Sequence, residues 1–321
     1  MRKLAVVFLI VVSAAPAIER PVHTFSIVAR DPATGEMGVA VQSHWFSVGT
    51  SVVWAEAGVG AVATQSFVES SYGPLGLALI RGGKTAPDAL KALLAADNDR
   101  EVRQVAMIDS QGRVAAHTGA KCVAAAGHHV GKDYSVQANL MEKATVWPAM
   151  ARAFEGATGD LTDRLLAALD AAQAEGGDIR GKQSAAILIV KGQSSGRPWA
   201  DRIIDLRVED NPEPIAELRR LVRVKRAYDH MDAGDACSTA KDWDCAAREY
   251  GAAEKLLPDN AEVIFWHAVT LVTGNRVEQA LPLFRKVFAS EPKWAELVPR
   301  LPASGLLPDD PAVIKRIEGQ R

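Results

Sequence analysis

The 321-residue sequence is poor in several features that mark particular classes of protein. Its three cysteines exclude a disulfide-rich scaffold, and none has histidines at zinc-ligand spacing, so no metal is expected. Lys and Arg (37 residues) nearly balance Asp and Glu (39 residues), which gives no basic footprint for nucleic acid. The sequence also contains no cofactor motif. These absences favour a globular protein without a metal, a cofactor or a nucleic-acid partner.

The N-terminus has the three-part pattern of a secretory signal peptide. Arg2 and Lys3 precede the apolar run Leu4–Val12, and small residues follow up to Ala17. The run is too short to span a bilayer. We therefore predict that residues 1–17 are a signal peptide, with a periplasmic or secreted product that has no membrane attachment after cleavage. The alternative is an uncleaved N-terminal anchor.

Short runs rich in β-branched residues and bounded by turn residues predict strands. The predicted strands are Thr24–Ala29, Met37–Ser43, Val52–Glu56, Gly60–Gln65, Val102–Asp109, Val114–Thr118, Ala185–Val190 and Arg202–Val208, with Lys121–Gly127 as a further candidate. Between these groups of strands, residues 74–94 and 140–172 show the helical spacing that predicts a helix pair in each stretch.

The order of elements is strands, a helix pair, strands, a second helix pair and strands. Short connections and hairpin turns in this order favour mainly antiparallel sheets. Two sheets packed face to face, with the helix pairs outside, would bury every apolar face as a four-layer α-β-β-α sandwich within an α+β class. A three-layer α+β fold is the alternative that periodicity also permits.

A stiff polar break, Asn211–Pro214, separates this region from a helical C-terminal part, predicted as residues 215–321. Similar residues recur there 34 positions apart, as in the pairs Ala246/Ala280, Tyr250/Phe284 and Pro258/Pro292. The spacing resembles two tetratricopeptide repeats, in which helix pairs stack. Two repeats bury little surface, so we expect this region to bind a protein partner or to self-associate.

The tetratricopeptide resemblance also bears on two of the cysteines. His230 stands where the repeat usually has Trp, and Cys237 stands where it has Tyr. On this alignment Cys237 and Cys245 lie on the two helices of one pair, and they are predicted to form a disulfide.

Four segments resemble the family called domain of unknown function 1028, over about Thr24 to Asp210. They are Thr24–Asp31, Gly38–Ser43, Ala57–Gln65 and Gly176–Ala186. The resemblance implies the fold of the N-terminal-nucleophile hydrolases for residues 24–210. In that superfamily a Thr, Ser or Cys opens the first strand, and its own α-amino group serves as the general base.

The resemblance makes Thr24 the candidate nucleophile. A free α-amine with a pKa near 8 can take the hydroxyl proton, and the hydroxyl can then attack an amide or ester carbonyl. Cleavage after Ala17 would leave six residues before Thr24. The chemistry therefore requires a second cut between His23 and Thr24, and the alternative is that Thr24 is an ordinary strand residue.

Other polar residues are candidates for contacting a substrate, which would be an unidentified small molecule or peptide. Ser43 and Gln65 end apolar strands, where a polar side chain needs a hydrogen-bond partner; the alternative to a substrate contact is a purely structural hydrogen bond. Asp178 and Arg180 lie in a glycine-flanked loop; they can pair with each other, or Arg180 can present its guanidinium to a carboxylate. A tight structural turn is the alternative for this loop.

Two functions follow from these features. The first is an exported amide or ester hydrolase of N-terminal-nucleophile type that uses Thr24 after processing. The second is a non-catalytic ligand-binding or scaffold protein whose helical repeats mediate protein–protein interaction.

Overall fold

The computed structural model describes residues 24–321, so the predicted signal peptide lies outside the described residues. Ten strands are present among the described residues. They are β1 Thr24–Arg30, β2 Met37–Ser43, β3 Val53–Glu56, β4 Gly60–Ser66, β5 Arg103–Asp109, β6 Val114–Thr118, β7 Gly127–Gly131, β8 Tyr134–Ala138, β9 Ser184–Val190 and β10 Arg202–Val208.

Nine α-helices lie within the same residues, and several begin at a side-chain cap. Thr85 and Asp160, for example, each accept a hydrogen bond from the backbone N–H three residues ahead. The helices are α1 Tyr72–Arg81, α2 Ala86–Ala96, α3 Val146–Gly156, α4 Leu161–Ala174, α5 Pro214–Thr239, α6 Trp243–Leu256, α7 Ala261–Thr273, α8 Val277–Ser290 and α9 Pro311–Glu318. None of these helices is long and apolar enough to cross a bilayer.

The strands form two sheets in which every neighbouring pair is antiparallel. The six-stranded sheet has the order β10-β9-β2-β1-β8-β7, and the four-stranded sheet has the order β3-β4-β5-β6. The first strand thus lies inside the larger sheet, hydrogen-bonded to β2 and β8. The predicted antiparallel sheets in a mixed α and β protein are confirmed.

Apolar side chains cover both faces of each sheet. Val28, Val41 and Ile108 belong to a buried cluster between the two sheets. Helices α1 and α2 cover the other face of the four-stranded sheet. Helices α3 and α4, with the first half of α5, cover the other face of the six-stranded sheet. We call β1 to β10 with their four helices the two-sheet region.

The predicted strand Lys121–Gly127 is wrong. The chain there makes turns, and its amides bond outside a ladder, as in the hydrogen bond from Lys121 N to Glu101 O. The strand hairpin lies later, as β7 and β8. Its two-residue turn has Asp133 at a φ of 61°, a conformation that Asp tolerates better than most residues.

The chain beyond Pro214 is helical, as predicted, and we call α5 to α9 the helical region. Helices α5 and α6 pack as one pair, and α7 and α8 as the next. Gly234 permits the first of these contacts, since a Cβ there would lie 2.6 Å from Tyr250 Cδ2. Helix α5 belongs to both regions, because Leu218 packs on the sheet and Met231 packs in the helical region.

Candidate functional site

Polar residues collect at one end of the two sheets. The antiparallel register places Thr24, the first residue of β1, opposite Ser43, the last residue of β2. In the other sheet the register pairs Gln65 near the end of β4 with Gln104 near the start of β5. Strand β8 ends at the same place. Because side chains along a strand point alternately to its two faces, several of these residues point into the layer between the sheets.

Thr24 is fully buried, and its strand position fixes its hydrogen bonds. Its hydroxyl donates to Ser43 Oγ at 3.2 Å. Its carbonyl oxygen accepts from Gln65 Nε2 at 3.1 Å, from the Asn139 backbone N–H at 3.1 Å and from Asn139 Nδ2 at 3.4 Å. The start of β1 is therefore held both by the β-ladder and by two buried amide side chains.

These amides belong to a hydrogen-bonded group that we call the polar cluster. Its members are fully buried: Ser26, Gln65, Gln104, Gln137 and Asn139. Gln65 Oε1 accepts from Ser26 Oγ at 2.6 Å, and Gln65 Nε2 donates to Gln104 Oε1 at 2.7 Å. Gln137 Nε2 donates to Ser26 Oγ at 2.6 Å, and Asn139 Nδ2 donates to Gln104 Oε1 at 2.9 Å. The shared bonds fix the direction of each amide.

The polar cluster reaches the protein surface through Gln104. Its Nε2 donates to Ala138 O and to Thr118 Oγ1, both at 2.9 Å. Thr118 Oγ1 lies 2.8 Å from His128 Nδ1. Partial burial and the neighbouring His117 and His129 lower the pKa of His128. A neutral His128 can accept the Thr118 hydroxyl proton at Nδ1, which completes the chain of bonds.

Asp178 and Arg180 pair with each other beside the end of β2. Arg180 donates from Nη2 to Asp178 Oδ2 at 2.7 Å and from Nε to Asp178 Oδ1 at 3.1 Å. The backbone N–H of His44 donates to the same Asp178 carboxylate at 3.2 Å, so the loop is attached next to Ser43. Asp178 is buried, whereas the Arg180 side chain is 28% exposed.

Two large apolar side chains are exposed near this loop. Ile179 is 62% exposed between Asp178 and Arg180, and Phe46 is 64% exposed shortly after His44. Since the His44 amide bonds to Asp178, both lie at the end of the sheets that holds Thr24. They give the site a partly apolar margin.

The structure brings Thr24, Ser43 and Gln65 into contact, and it attaches the Asp178–Arg180 pair through His44. The sequence analysis did not identify Ser26, Gln104, Gln137 or Asn139. A signal was present for two of them, because Gln104 and Gln137 are amides inside runs that form strands. Residues 24–321 contain no group of His, Cys, Asp and Glu side chains that could hold a metal ion.

The comparisons with other proteins concern the two-sheet region. A family model described as a family of unknown function (DUF1028) matches residues 24–218. The crystal structure of protein SPO2555 from Silicibacter pomeroyi, assigned to the same family, matches with a TM-score of 0.57 and 31% sequence identity. That match covers 63% of this chain and 88% of the other. A comparison with curated proteins finds no match.

The family match covers more than half of the chain, and it begins at Thr24, the first residue of the first strand. The resemblance drawn from the four sequence segments is thereby confirmed at the level of the family. The chain belongs to the family of unknown function DUF1028.

Proposed function

We propose that the two-sheet region is an α-β-β-α sandwich of the N-terminal-nucleophile type and that Thr24 is its nucleophile. Two antiparallel sheets share an apolar layer, and helix pairs cover their other faces. Strand β1 lies inside the larger sheet and begins at Thr24. These features support the assignment that the family resemblance implies, and the reaction would be hydrolysis of an amide or an ester.

The reaction requires that hydrolysis of the His23–Thr24 bond free the Thr24 amine. The free amine takes the Oγ1 proton while Oγ1 attacks the substrate carbonyl. The amine then gives this proton to the leaving nitrogen or oxygen as the scissile bond breaks, and an acyl ester on Thr24 remains. A water molecule, deprotonated by the same amine, hydrolyses this ester and restores the hydroxyl.

The observation that carries the proposal is the way the start of β1 is held. Three donors from Gln65 and Asn139 reach the Thr24 carbonyl, and Ser43 lies within hydrogen-bond distance of the Thr24 hydroxyl. A covalent catalyst needs its attacking atom fixed by supporting hydrogen bonds. Burial of a set of amides costs free energy, and a fold that needs only a stable core would not require it.

The predicted substrate-binding residues have separate roles in this proposal. The Gln65 amide bonds to Ser26, Gln104 and the Thr24 carbonyl, so we assign it to positioning Thr24. Ser43 is adjacent to the reacting hydroxyl and can donate to a substrate oxygen. Asp178 fixes one edge of the Arg180 guanidinium, which is oriented to meet a polar group of the substrate at the margin of the site.

The first experiment is the intact mass and N-terminal sequence of the protein purified from its exported compartment. A chain that begins at Thr24 supports the mechanism, and a chain that keeps the His23–Thr24 bond excludes it for that form. With processed protein, Thr24→Ala should abolish turnover of amide or ester probes and change the melting temperature little. Thr34→Ala, in the exposed turn after β1, is the matched control and should remain active.

A second function, a non-catalytic binding or scaffold protein, is favoured by the helical region. Stacked helix pairs with a glycine at the close contact, Gly234 against Tyr250, support the tetratricopeptide-like assignment and a role in protein interaction. Cys237 and Cys245 have Cα atoms 5.8 Å apart, a separation that suits the proposed disulfide. If Thr24→Ala loses stability and neither form is active, this function is preferred.

A further inference from the structure

The helical region contains a cavity that the proposed hydrolase does not use. It has a volume of about 610 Å³ and lies between α5, α6, α7 and the loop at Gly305 and Leu306. Cavities of this size commonly hold small organic ligands or a few side chains of a peptide. All of the residues that line it belong to the helical region, and none of them is a residue of the Thr24 site.

The charges that line the cavity are all negative. Asp232, Asp235 and Glu262 contribute carboxylates, and no Lys or Arg is among the described residues that line it. Two of the carboxylates accept hydrogen bonds from neutral hydroxyls, Asp235 from Tyr250 at 2.5 Å and Glu262 from Tyr228 at 2.5 Å. A neutral donor orients a carboxylate without cancelling its charge. The cavity therefore has an uncompensated negative potential.

The two tyrosines remain neutral donors over the physiological pH range. The hydrogen bond to Glu262, together with burial, raises the pKa of Tyr228. Burial, followed by the hydrogen bond to Asp235, raises the pKa of Tyr250. Asp232 differs from the other two acids because its side chain makes no hydrogen bond or ion pair with another described residue, and it is exposed at the cavity.

The ends of two helices add to the same potential. Ser238 and Thr239, the last residues of α5, line the cavity, and so do Thr270 and Thr273 in the last turn of α7. The C-terminal end of a helix carries a partial negative charge from carbonyl groups that have no partner within the helix. The negative C-terminal ends of both helices therefore lie beside the cavity.

Aromatic side chains form another part of the wall. Trp243 and Trp266 line the cavity with Tyr228 and Tyr250, and none of the four rings is fully exposed. Aromatic rings attract ammonium and guanidinium groups through their negative faces and also pack on the alkyl part of such ligands. A small inorganic cation would not use these rings, whereas an organic cation would.

We propose that this cavity binds an organic cation, an alkylammonium or alkylguanidinium group, carried by a small molecule or by a basic side chain of a peptide. The carboxylates and the two helix ends supply the charge complementarity, and the aromatic rings supply contact with the alkyl part. This ligand class is independent of Thr24 and of any hydrolysis.

The test is calorimetric titration of the purified full-length protein with three probes. N-acetyl-arginine amide represents a basic residue of a peptide, agmatine represents a free small cation, and N-acetyl-citrulline amide is the uncharged isostere. We expect the two cations to bind and the citrulline compound to bind at least about tenfold more weakly. A stronger response to the capped arginine indicates a peptide source, and a stronger response to agmatine indicates a small molecule.

Variants assign the binding to the cavity. Asp232→Asn removes an exposed carboxylate and should weaken both cations without a change in the melting temperature. Asp235→Asn keeps an acceptor for Tyr250 and should weaken them at least about tenfold. Asp259→Asn is the matched control, because its 94% exposed side chain lies in the same region but does not line the cavity.

Three results would overturn the proposal. They are equal affinity for the arginine and citrulline compounds, no binding of either cation at millimolar concentration, and equal effects of Asp232→Asn and Asp259→Asn.

Discussion

The layer between the two sheets is apolar at one end and polar at the other, although the same strands build both ends. The side chains of Ser26 and Val28 lie on the same face of β1, and those of Gln104 and Ile108 lie on the same face of β5. At one end the layer contains apolar side chains, and at the other the polar cluster occupies the same layer. The backbone is common to both ends, so only the side chains differ.

This difference separates what folding requires from what a site requires. An aliphatic layer gains stability from every methyl group that it buries and tolerates small changes of shape. A buried amide contributes little net stability even when all its bonds are made, and it is strongly destabilising when one is lost. The polar end therefore defines one arrangement of side chains around Thr24, at the expense of the stability that an apolar end would provide.

The largest expected effect is at Gln104, which bonds to Gln65 and Asn139 within the polar cluster and also to Thr118 outside it. Gln104→Leu removes one acceptor each from Gln65 Nε2 and Asn139 Nδ2, which keep only their bonds to backbone carbonyls, and each buried N–H left without a partner costs about 1–3 kcal/mol. We expect the free energy of unfolding in urea to fall by about 3–5 kcal/mol. Ile108→Val, on the same strand at the apolar end, should reduce it by only about 1 kcal/mol. Equal losses of unfolding free energy in the two variants would contradict the prediction that the polar end tolerates substitution less well than the apolar end.

A smaller effect is expected at Ser26, where a hydroxyl instead of an amide joins two members of the polar cluster. Ser26→Ala removes the donor to Gln65 Oε1 and the acceptor of Gln137 Nε2, and the predicted loss is about 1–2 kcal/mol. Ser110→Ala, in the turn at the opposite end of the sheets, should change stability by less than about 0.5 kcal/mol. Combining Ser26→Ala with Gln137→Ala should give non-additive losses in a double-mutant cycle. Additive losses would mean that the two side chains do not act together.

The smallest effect concerns pH. The native protein lowers the pKa of His128, because partial burial and the nearby His117 and His129 disfavour its charged form. As the pH falls through 6.5, His128 therefore binds a proton in the unfolded chain before it does so in the native protein. The free energy of unfolding decreases as the pH falls through this window and is fully regained at neutral pH.

The predicted change is below about 1 kcal/mol, because the ring is only partly buried and solvent screens its charge. It is measured as the free energy of unfolding at pH 5, 6, 7 and 8. His128→Asn keeps an acceptor for Thr118 but does not titrate, so it should flatten the curve. If the free energy of unfolding of the variant depends on pH as in the wild type, His128 is not the cause of that dependence.

Much of the fold could be predicted from local patterns. β-branched runs with Gly or Pro turns identified β1 to β6, β9 and β10; among them β1, β2, β4, β5 and β9 are almost entirely buried and mostly apolar. The hairpin of β7 and β8 was missed, since its first strand contains His128, His129 and two glycines, and its second alternates polar and apolar residues. That alternation reflects a strand with one face on the polar cluster, which no local pattern distinguishes from a surface strand.

The candidate site was predictable only in part. Ser43 and Gln65 stand at strand ends, where a polar residue after an apolar run is conspicuous, whereas the family resemblance identified Thr24. Ser26 and Gln104 lie within strands and come together only through the packing of two sheets, which a single sequence does not specify. Their roles depend on contacts between residues as far apart as 26 and 137.

Helix α5 spans 26 residues, roughly 39 Å at the rise of an α-helix, and it has no break between the two regions. Ile215 and Val222 cover the six-stranded sheet, and Ala227 belongs to the helical region. No single cut therefore yields two intact halves, and the family boundary at residue 218 falls inside a shared structural element. A tilt of α5 imposed at its C-terminal half also moves its N-terminal half, because one uninterrupted helix has no joint that could absorb the motion.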